Sequence, residues 1–371
     1  DMSDIVANLG YSGQELLFLN KELYCFISGK SICIYDLNKG LREMLWRPDG
    51  GIGCIASHLD NEYLAIAPVS GNVLELLNFS SQQVVATFEI PCTSEVVNMA
   101  FSRDGGKLFV ITGVSDSKLI AFDVMKKELL FSEDLKDNSK NLVVNPSDDN
   151  LIALYGDDGL KLCIVNEIMG SYSILFEPVV VESEYRYDDY EVSDDDKMAA
   201  TTLGNSITFV QWMPFNYLVF GNRQGNVLEA NVMDGKNVNV LRKSSLKKLY
   251  NGNAPSSSVF PTSAAIGLGT FIVSTSVGTT YWFPMTNFSK APSVDTELVD
   301  YSIPLQITDV KSHISCVLND PLYAKLLIGT AGEVFSVSVE VQERNIDENE
   351  MDMNQTEEDE VLEPIIVESA S

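Results

Sequence analysis

The chain has little histidine: His58 and His313 are the only two in 371 residues. Its six cysteines, Cys25, Cys33, Cys54, Cys92, Cys163 and Cys316, include no CxxC pair. Without paired cysteines or clustered histidines there is no tetrahedral zinc set, and no metal or other cofactor is expected. Most of these cysteines fall inside apolar runs, where a thiol behaves as a small hydrophobe. That usage suits a reducing, intracellular compartment. No apolar run approaches the roughly 20 residues that a membrane-spanning helix needs, so no membrane insertion is expected. The chain opens at Asp1 with no charged-then-apolar leader, which leaves room for a fragment of something longer. The sequons at Asn78, Asn287 and Asn354 are then expected to be chance matches.

Basic residues are scarce as well. Lys and Arg total 25 against 53 Asp and Glu, a net charge of −28. The excess is uneven. Residues 340–371 hold 12 acids and only Arg344, and residues 182–196 hold 8 acids and only Arg186. Such a surface repels nucleic-acid phosphates and anionic lipid headgroups, both of which demand clustered Lys and Arg. A basic protein or peptide is the electrostatically favoured partner.

Helical periodicity is weak too: no window keeps an apolar stripe at i, i+3, i+4, i+7 with a cap and a stop signal. What the sequence has instead is a repeat. A polar turn, an apolar strand, a tight Gly or Asp turn and a second apolar strand recur. Asp60-Asn61-Glu62 precedes YLAIAPVSGNVLELLNF, Asp104-Gly105-Gly106 precedes KLFVITGVSDSKLIAFDV, and Asp148-Asp149-Asn150 precedes LIALYGDDGLKLCIVN. The leading acids, Asp60, Asp104 and Asp148, are 44 residues apart, within the 40–45 residues of a four-stranded propeller blade. Looser copies begin near Asn20, Phe215, Gly267 and Asp320, which makes seven units. Each has flanking strands, such as Val96–Phe101 before the turn and Glu128–Phe131 after the second core strand.

The fold class expected is therefore all-β: a seven-bladed WD40-like β-propeller over 1–341 with an acidic insertion at about 182–197, then an acidic disordered tail over 342–371. The runs LAIA, LFVIT, LIAL and FIVST are expected to be the inner strands, covered on both faces. Closing the ring calls for one strand from a terminus. Ser3–Asn8 is favoured over Val361–Val367, because the latter would bring the tail's carboxylates past the ring.

No residue set carries chemistry. Gly50-Gly51-Ile52-Gly53, Gly221–Gly225 and Gly267–Gly269 lack the helix start and lysine of a phosphate loop and suit blade turns. His58 beside Ser57, and His313 between Ser312 and Ile314, suit a structural hydrogen-bond network better than a catalytic triad. Asp157-Asp158-Gly159 suits a hairpin turn, and Asp188-Asp189 and Asp194-Asp195-Asp196 lack a calcium-loop pattern. No catalytic residue, cofactor or small-molecule substrate is expected. Two stretches are candidates for partner binding. Tyr185, Tyr187 and Tyr190 interleave with carboxylates in 183–197; this composition suits a disordered loop or a docking loop for a basic partner. Arg242, Lys243, Lys247 and Lys248 form the one basic run, either a solvated loop between blades five and six or a contact for an acidic partner.

The repeat resembles a diverged WD repeat. Tyr35-Asp36 and Phe122-Asp123 stand where Trp-Asp would end the third strand, and the Gly-His pair is missing. Leu9-Gly10-Tyr11, LNKELYCFISGKSICIYDL, and Gly50–His58 with Tyr63–Ala67 are similar to the first propeller of the large WD-repeat cilia- and flagella-associated proteins, which form the tether and tether head of an inner-arm dynein. The resemblance implies a non-catalytic scaffold in a ciliary or flagellar axonemal complex, with protein partners and a cytoskeletal location. An adaptor in trafficking, RNA processing or ubiquitin ligation is the alternative.

Overall fold

In the computed structural model the described residues are 16–46, 50–60, 62–180, 204–213, 216–233, 237–249, 255, 258–267, 270–284, 303–306, 314–319, 325–330, 334–341 and 364–367. Strands dominate. Among the described residues the longest helical segment is the four-residue turn Leu246–Leu249.

The strands pair into four-stranded antiparallel sheets, each contiguous in the chain. The first sheet is β1 (Leu17–Phe18), β2 (Leu23–Ser28), β3 (Ser31–Asp36) and β4 (Gly40–Trp46). The second is β5 (Cys54–His58), β6 (Tyr63–Ala67), β7 (Val73–Asn78) and β8 (Gln83–Glu89). The third is β9 (Val96–Phe101), β10 (Lys107–Thr112), β11 (Lys118–Asp123) and β12 (Glu128–Asp134). The fourth is β13 (Ser139–Asn145), β14 (Asp148–Gly156), β15 (Gly159–Ile168) and β16 (Ser171–Val179). The fifth is β17 (Ile207–Met213), β18 (Tyr217–Asn222), β19 (Asn226–Met233) and β20 (Asn237–Ser245). The sixth is β21 (Pro261–Gly267), β22 (Thr270–Thr275), β23 (Thr279–Pro284) and β24 (Ile303–Gln306). The last is β25 (Ile314–Asn319), β26 (Lys325–Thr330), β27 (Val334–Val341) and β28 (Pro364–Val367). Where the sequence led to seven blades, six are described with their interiors. The last sheet is described as backbone apart from Leu327, Ile328 and Gly329.

Sheets pack side by side through alternating apolar residues. A strand's side chains point to opposite faces, so successive residues serve different neighbours. Leu108 and Val110 of β10 pack with Ala65 and Leu76 of the second sheet, while Phe109 and Ile111 pack with Ile152 and Leu154 of the fourth. Likewise Leu218 and Phe220 of β18 join Leu160 and Leu162, and Val219 joins Phe271 and Val273. Trp212 is buried between sheets, and its indole N–H donates to the Val143 carbonyl at 3.0 Å. An indole buried this way needs such an acceptor.

Two expectations are corrected. Neighbouring sheets touch mainly along their first strands, β5 against β9, β9 against β13, β17 against β21 and β21 against β25, so those strands lie nearest the axis. LAIA, LFVIT, LIAL and FIVST belong to the second strands, where both faces are covered. The outer strand of the last sheet is also not Ser3–Asn8, which lies outside the described residues. Pro364–Val367 fills that place, with Ser338 opposite Val367 and Val341 opposite Pro364. PIIV is short, apolar and β-branched, and this segment of the expected tail finds a sheet edge to pair with.

The fourth strand of the first sheet, β4, faces water on one side and reads exposed, half-buried, exposed along its length. Asx residues cap the turns that lead into β4, β8 and β12. Asp36 Oδ1 accepts the N–H groups of Asn38 and Lys39, Asn78 Oδ1 that of Ser81, and Asp123 Oδ1 that of Lys126. Asp36 and Asp123 are the positions that stand where Trp-Asp would end the third strand, and an Asx turn is what they supply.

Glycine is required where sheets approach closely. A Cβ on Gly221 would overlap the Phe209 ring and lie 2.5 Å from Pro261 Cγ. Gly221→Ala is expected to destabilise the fold by about 1–3 kcal/mol, the usual range for overpacking a tight core. Thermal unfolding checks this; an unchanged Tm would show that sheets five and six have slack there.

Candidate functional site

The meander topology sorts the turns onto two rims. Turns from first to second strands and from third to fourth strands share one rim. Second-to-third hairpins and the connections into the next sheet share the other.

On the first rim, polar turn residues tie the second sheet to the third, the third to the fourth and the fourth to the fifth. His58 Nε2 donates to the Arg103 carbonyl at 2.9 Å, and the His58 ring sits edge-on to Phe101. The Arg103 N–H donates to Asp149 Oδ1 at 2.9 Å, and its guanidinium to the Pro146 carbonyl. Asn145 Nδ2 then donates to Asn216 Oδ1 at 2.9 Å. Within the third turn, Asp104 Oδ1 accepts from Ser102 Oγ and the Gly106 N–H, and these bonds hold its carboxyl below the usual carboxylate range. His58 thus has the structural role its sequence context suggested.

The shortest lysine–aspartate pairs lie on the second rim. Lys118 bonds Asp134 and lies 3.3 Å from Asp116. Lys140 reaches Asp157 at 2.7 Å, and Ser206 of the next sheet donates to the same carboxyl. Lys161 bonds both oxygens of Asp137 at 2.7 and 2.8 Å, with its ammonium 4.7 Å from the Phe176 ring centre. These contacts shift the groups in the expected directions. The hydrogen bond from Lys140, then that from Ser206, lowers Asp157. At Asp137, desolvation pushes the carboxyl up, but the bonds from Lys161 and Ser139 outweigh it and the net shift is down. Hydrogen bonds to Asp134 and Asp116 raise Lys118. Each of these lysines is neutralised internally, which leaves carboxylates such as Glu95 and Asp158 to set the sign of the rim.

Between sheets three and four this rim opens into a cleft of about 410 Å³, lined in part by Glu95, Val97, Val114, Ser117, Asn138 and Asn141. Its side chains are carboxylate, amide, hydroxyl and aliphatic, with the Lys140 ammonium, which Asp157 pairs, as the one cation. Among the described residues no group of three or more His, Cys, Asp and Glu is placed to hold a metal. Burial pushes the Cys163 thiol up to about 12, so it is no nucleophile.

No model of a protein family matches the chain, and no curated protein matches it. Solved structures do. The fold is a β-propeller. Kuenenia stuttgartiensis hydrazine synthase superposes with a TM-score of 0.61 at 11% identity, over 91% of this chain and 98% of that one. The β-propeller domain of Myceliophteria thermophila Cps50 (Swd1) superposes with a TM-score of 0.59 at 11% identity, over 89% and 96%. At such identities the likeness concerns the fold alone.

The residues singled out in the sequence fare unequally. Tyr185, Tyr187 and Tyr190 lie outside the described residues, as does His313. The basic run is not one connecting loop. Arg242 and Lys243 are in β20, opposite Glu229 and Leu228, and Lys247 and Lys248 are in the helical turn that follows. Lys247 is half-buried, with its side chain lying against Gly225. Asp157-Asp158-Gly159 is the hairpin turn expected, with the added role of binding Lys140. The lysine–aspartate pairs themselves left no mark in the sequence, because partners such as Asp137 and Lys161 meet across strands.

The Asp137–Lys161 pair gives a pH-dependent outcome. A carboxyl whose pKa is lowered on folding stabilises above its unfolded value of about 3.9 and loses that contribution as pH falls through the folded value. Asp137→Asn is expected to lower Tm by about 2–4 °C at pH 7. The gap should close as pH drops below about 4. Thermal scans from pH 3 to 7 check it; a pH-independent gap would mean that lost packing, not lost charge, is responsible.

Proposed function

We propose that the chain is a non-catalytic protein-interaction scaffold. The observation that carries this reading is the distribution of chemistry. The seven first strands, nearest the axis, contain no Asp or Glu at all, so a carboxylate-based channel site has no residue on them to use. Charged and exposed groups gather instead on the rims and outer strands, where a rigid frame displays them at fixed spacing. Among the described residues no helix is long and apolar enough to cross a membrane.

The finer reading follows the resemblance of Gly50–His58 and its surroundings. The scaffold belongs to a ciliary or flagellar axonemal complex associated with inner-arm dynein, and its partners are axonemal proteins. Its ring has seven blades, with β25–β28 as the seventh. Leu327 of β26 packs with Leu16, Phe18, Phe26 and Cys33 of the first sheet, which supports closure by packing rather than by strand exchange. The propeller then extends through 341 and takes back Pro364–Val367.

Affinity purification of the tagged chain from ciliated and non-ciliated cells tests the reading. Axonemal proteins are expected from ciliated cells. Recovery of trafficking coats or ligase subunits without axonemal proteins would move the scaffold to another intracellular assembly. A turnover reaction lost on mutation of rim residues would overturn the non-catalytic reading.

A further inference from the structure

The outer strands of a propeller are edge strands, and each leaves one side of its backbone unpaired. Such edges are normally blunted by bulges, by Lys or by shortness. Among the described strands, four outer edges are interrupted. A register shift falls between Ile34 and Tyr35 against β4, between Leu76 and Leu77 against β8, between Ala121 and Phe122 against β12, and between Glu229 and Ala230 against β20. Two more, β24 and β28, have four residues each. β16 differs from all six. Its nine residues pair with β15 without a shift, from Leu160 opposite Val179 to Ile168 opposite Ser171. It ends its sheet, so its other edge has no strand beside it among the described residues.

The residues of β16, SYSILFEPV, include no Lys or Arg. Tyr172, Ile174 and Phe176 pack toward the third sheet, where Tyr172 meets Phe131 with ring centres 5.6 Å apart. Ser171, Ser173 and Leu175 alternate with them and are exposed, Leu175 at 38%. Pro178 donates no N–H, which confines a regular ladder to Ser171–Glu177.

We propose that the outer edge of β16 docks an extended segment of a partner protein by strand addition, in antiparallel register. The inference rests on the scaffold reading and names how one partner engages. Charge selects the occupant. Glu177 closes the open stretch, and residues 182–196 that follow carry a net −7, within a chain of net −28. A second copy would bring like charge to the same place. A segment with β-branched and aromatic residues at alternate positions, preceded by Lys or Arg, matches both the pleat and the field. In antiparallel register its basic N-terminal end falls beside Glu177.

The test uses the full chain and a fluorescein-labelled peptide, KKTVTFTVT, with EETVTFTVT and KKTVTPTVT as controls. Saturable binding of the first is expected. The double variant Ser173→Lys, Leu175→Lys places gatekeeper charges on exposed positions. It should keep the parent circular dichroism and Tm but bind more than tenfold more weakly. Both control peptides should lose binding to a similar degree. Equal binding by parent and variant, or none by either, would overturn the proposal. So would a parent dimer that the double variant converts to monomer, since a second copy would then own the edge. A deletion of 182–197 that strengthens binding tenfold would assign the edge to the chain's own insertion and overturn it as well. Affinity purification with the double variant separates the two readings: partners retained in full leave the scaffold standing and remove β16 from it.

Discussion

Everything in this molecule depends on apolar faces of neighbouring sheets covering one another. A four-stranded sheet has two faces, and among the described residues no helix is long enough to cover either. Stacking around an axis gives each sheet two neighbours, and period-2 side-chain alternation divides a single strand between them. Phe109 and Leu108, adjacent in the chain, belong to different inter-sheet layers. The second strands feel this most, since both faces are covered over most of their length. Their near-continuous apolar sequences are the direct consequence.

That arrangement leaves the rims free for polar chemistry. Turns must satisfy their own backbone groups, and Asx residues do so at Asp36, Asn78 and Asp123. Once the sheets are packed, the same turns meet their neighbours. His58, Arg103 and Asp149 link three successive sheets, and Lys140 with Asp157 and Ser206 links two. These contacts align the blades without adding to the core. They also leave the charged surface with most of its described lysines already engaged.

The outer strands show how such a fold manages its edges. A bulge twists the edge of β4, β8, β12 and β20 away from regular pairing. β16 lacks that device and lacks cationic gatekeepers. Its regularity follows from its pairing: β15 has ten residues, and the hairpin joining it to β16 is tight, with Met169 at φ 51° and Gly170 at φ 78°. A two-residue turn of that hand matches strand twist and keeps the register unbroken.

Much of the fold was legible in the chain. The 44-residue spacing of Asp60, Asp104 and Asp148, the apolar runs and the scarcity of helical stripes determined an all-β propeller, because strand alternation and turn chemistry are local properties. Which strand lies nearest the axis was not legible, since a second strand covered on both faces and an axial strand look alike in one dimension. Nor was the last sheet's outer strand. Pairing of β27 with Pro364–Val367 rather than Ser3–Asn8 is decided by which segment reaches an open edge. The Lys161–Asp137 and Lys140–Asp157 pairs, the need for Gly221 and the uninterrupted edge of β16 likewise came only with the tertiary structure. Each depends on distances between residues that the sequence keeps apart and the packing of sheets brings together.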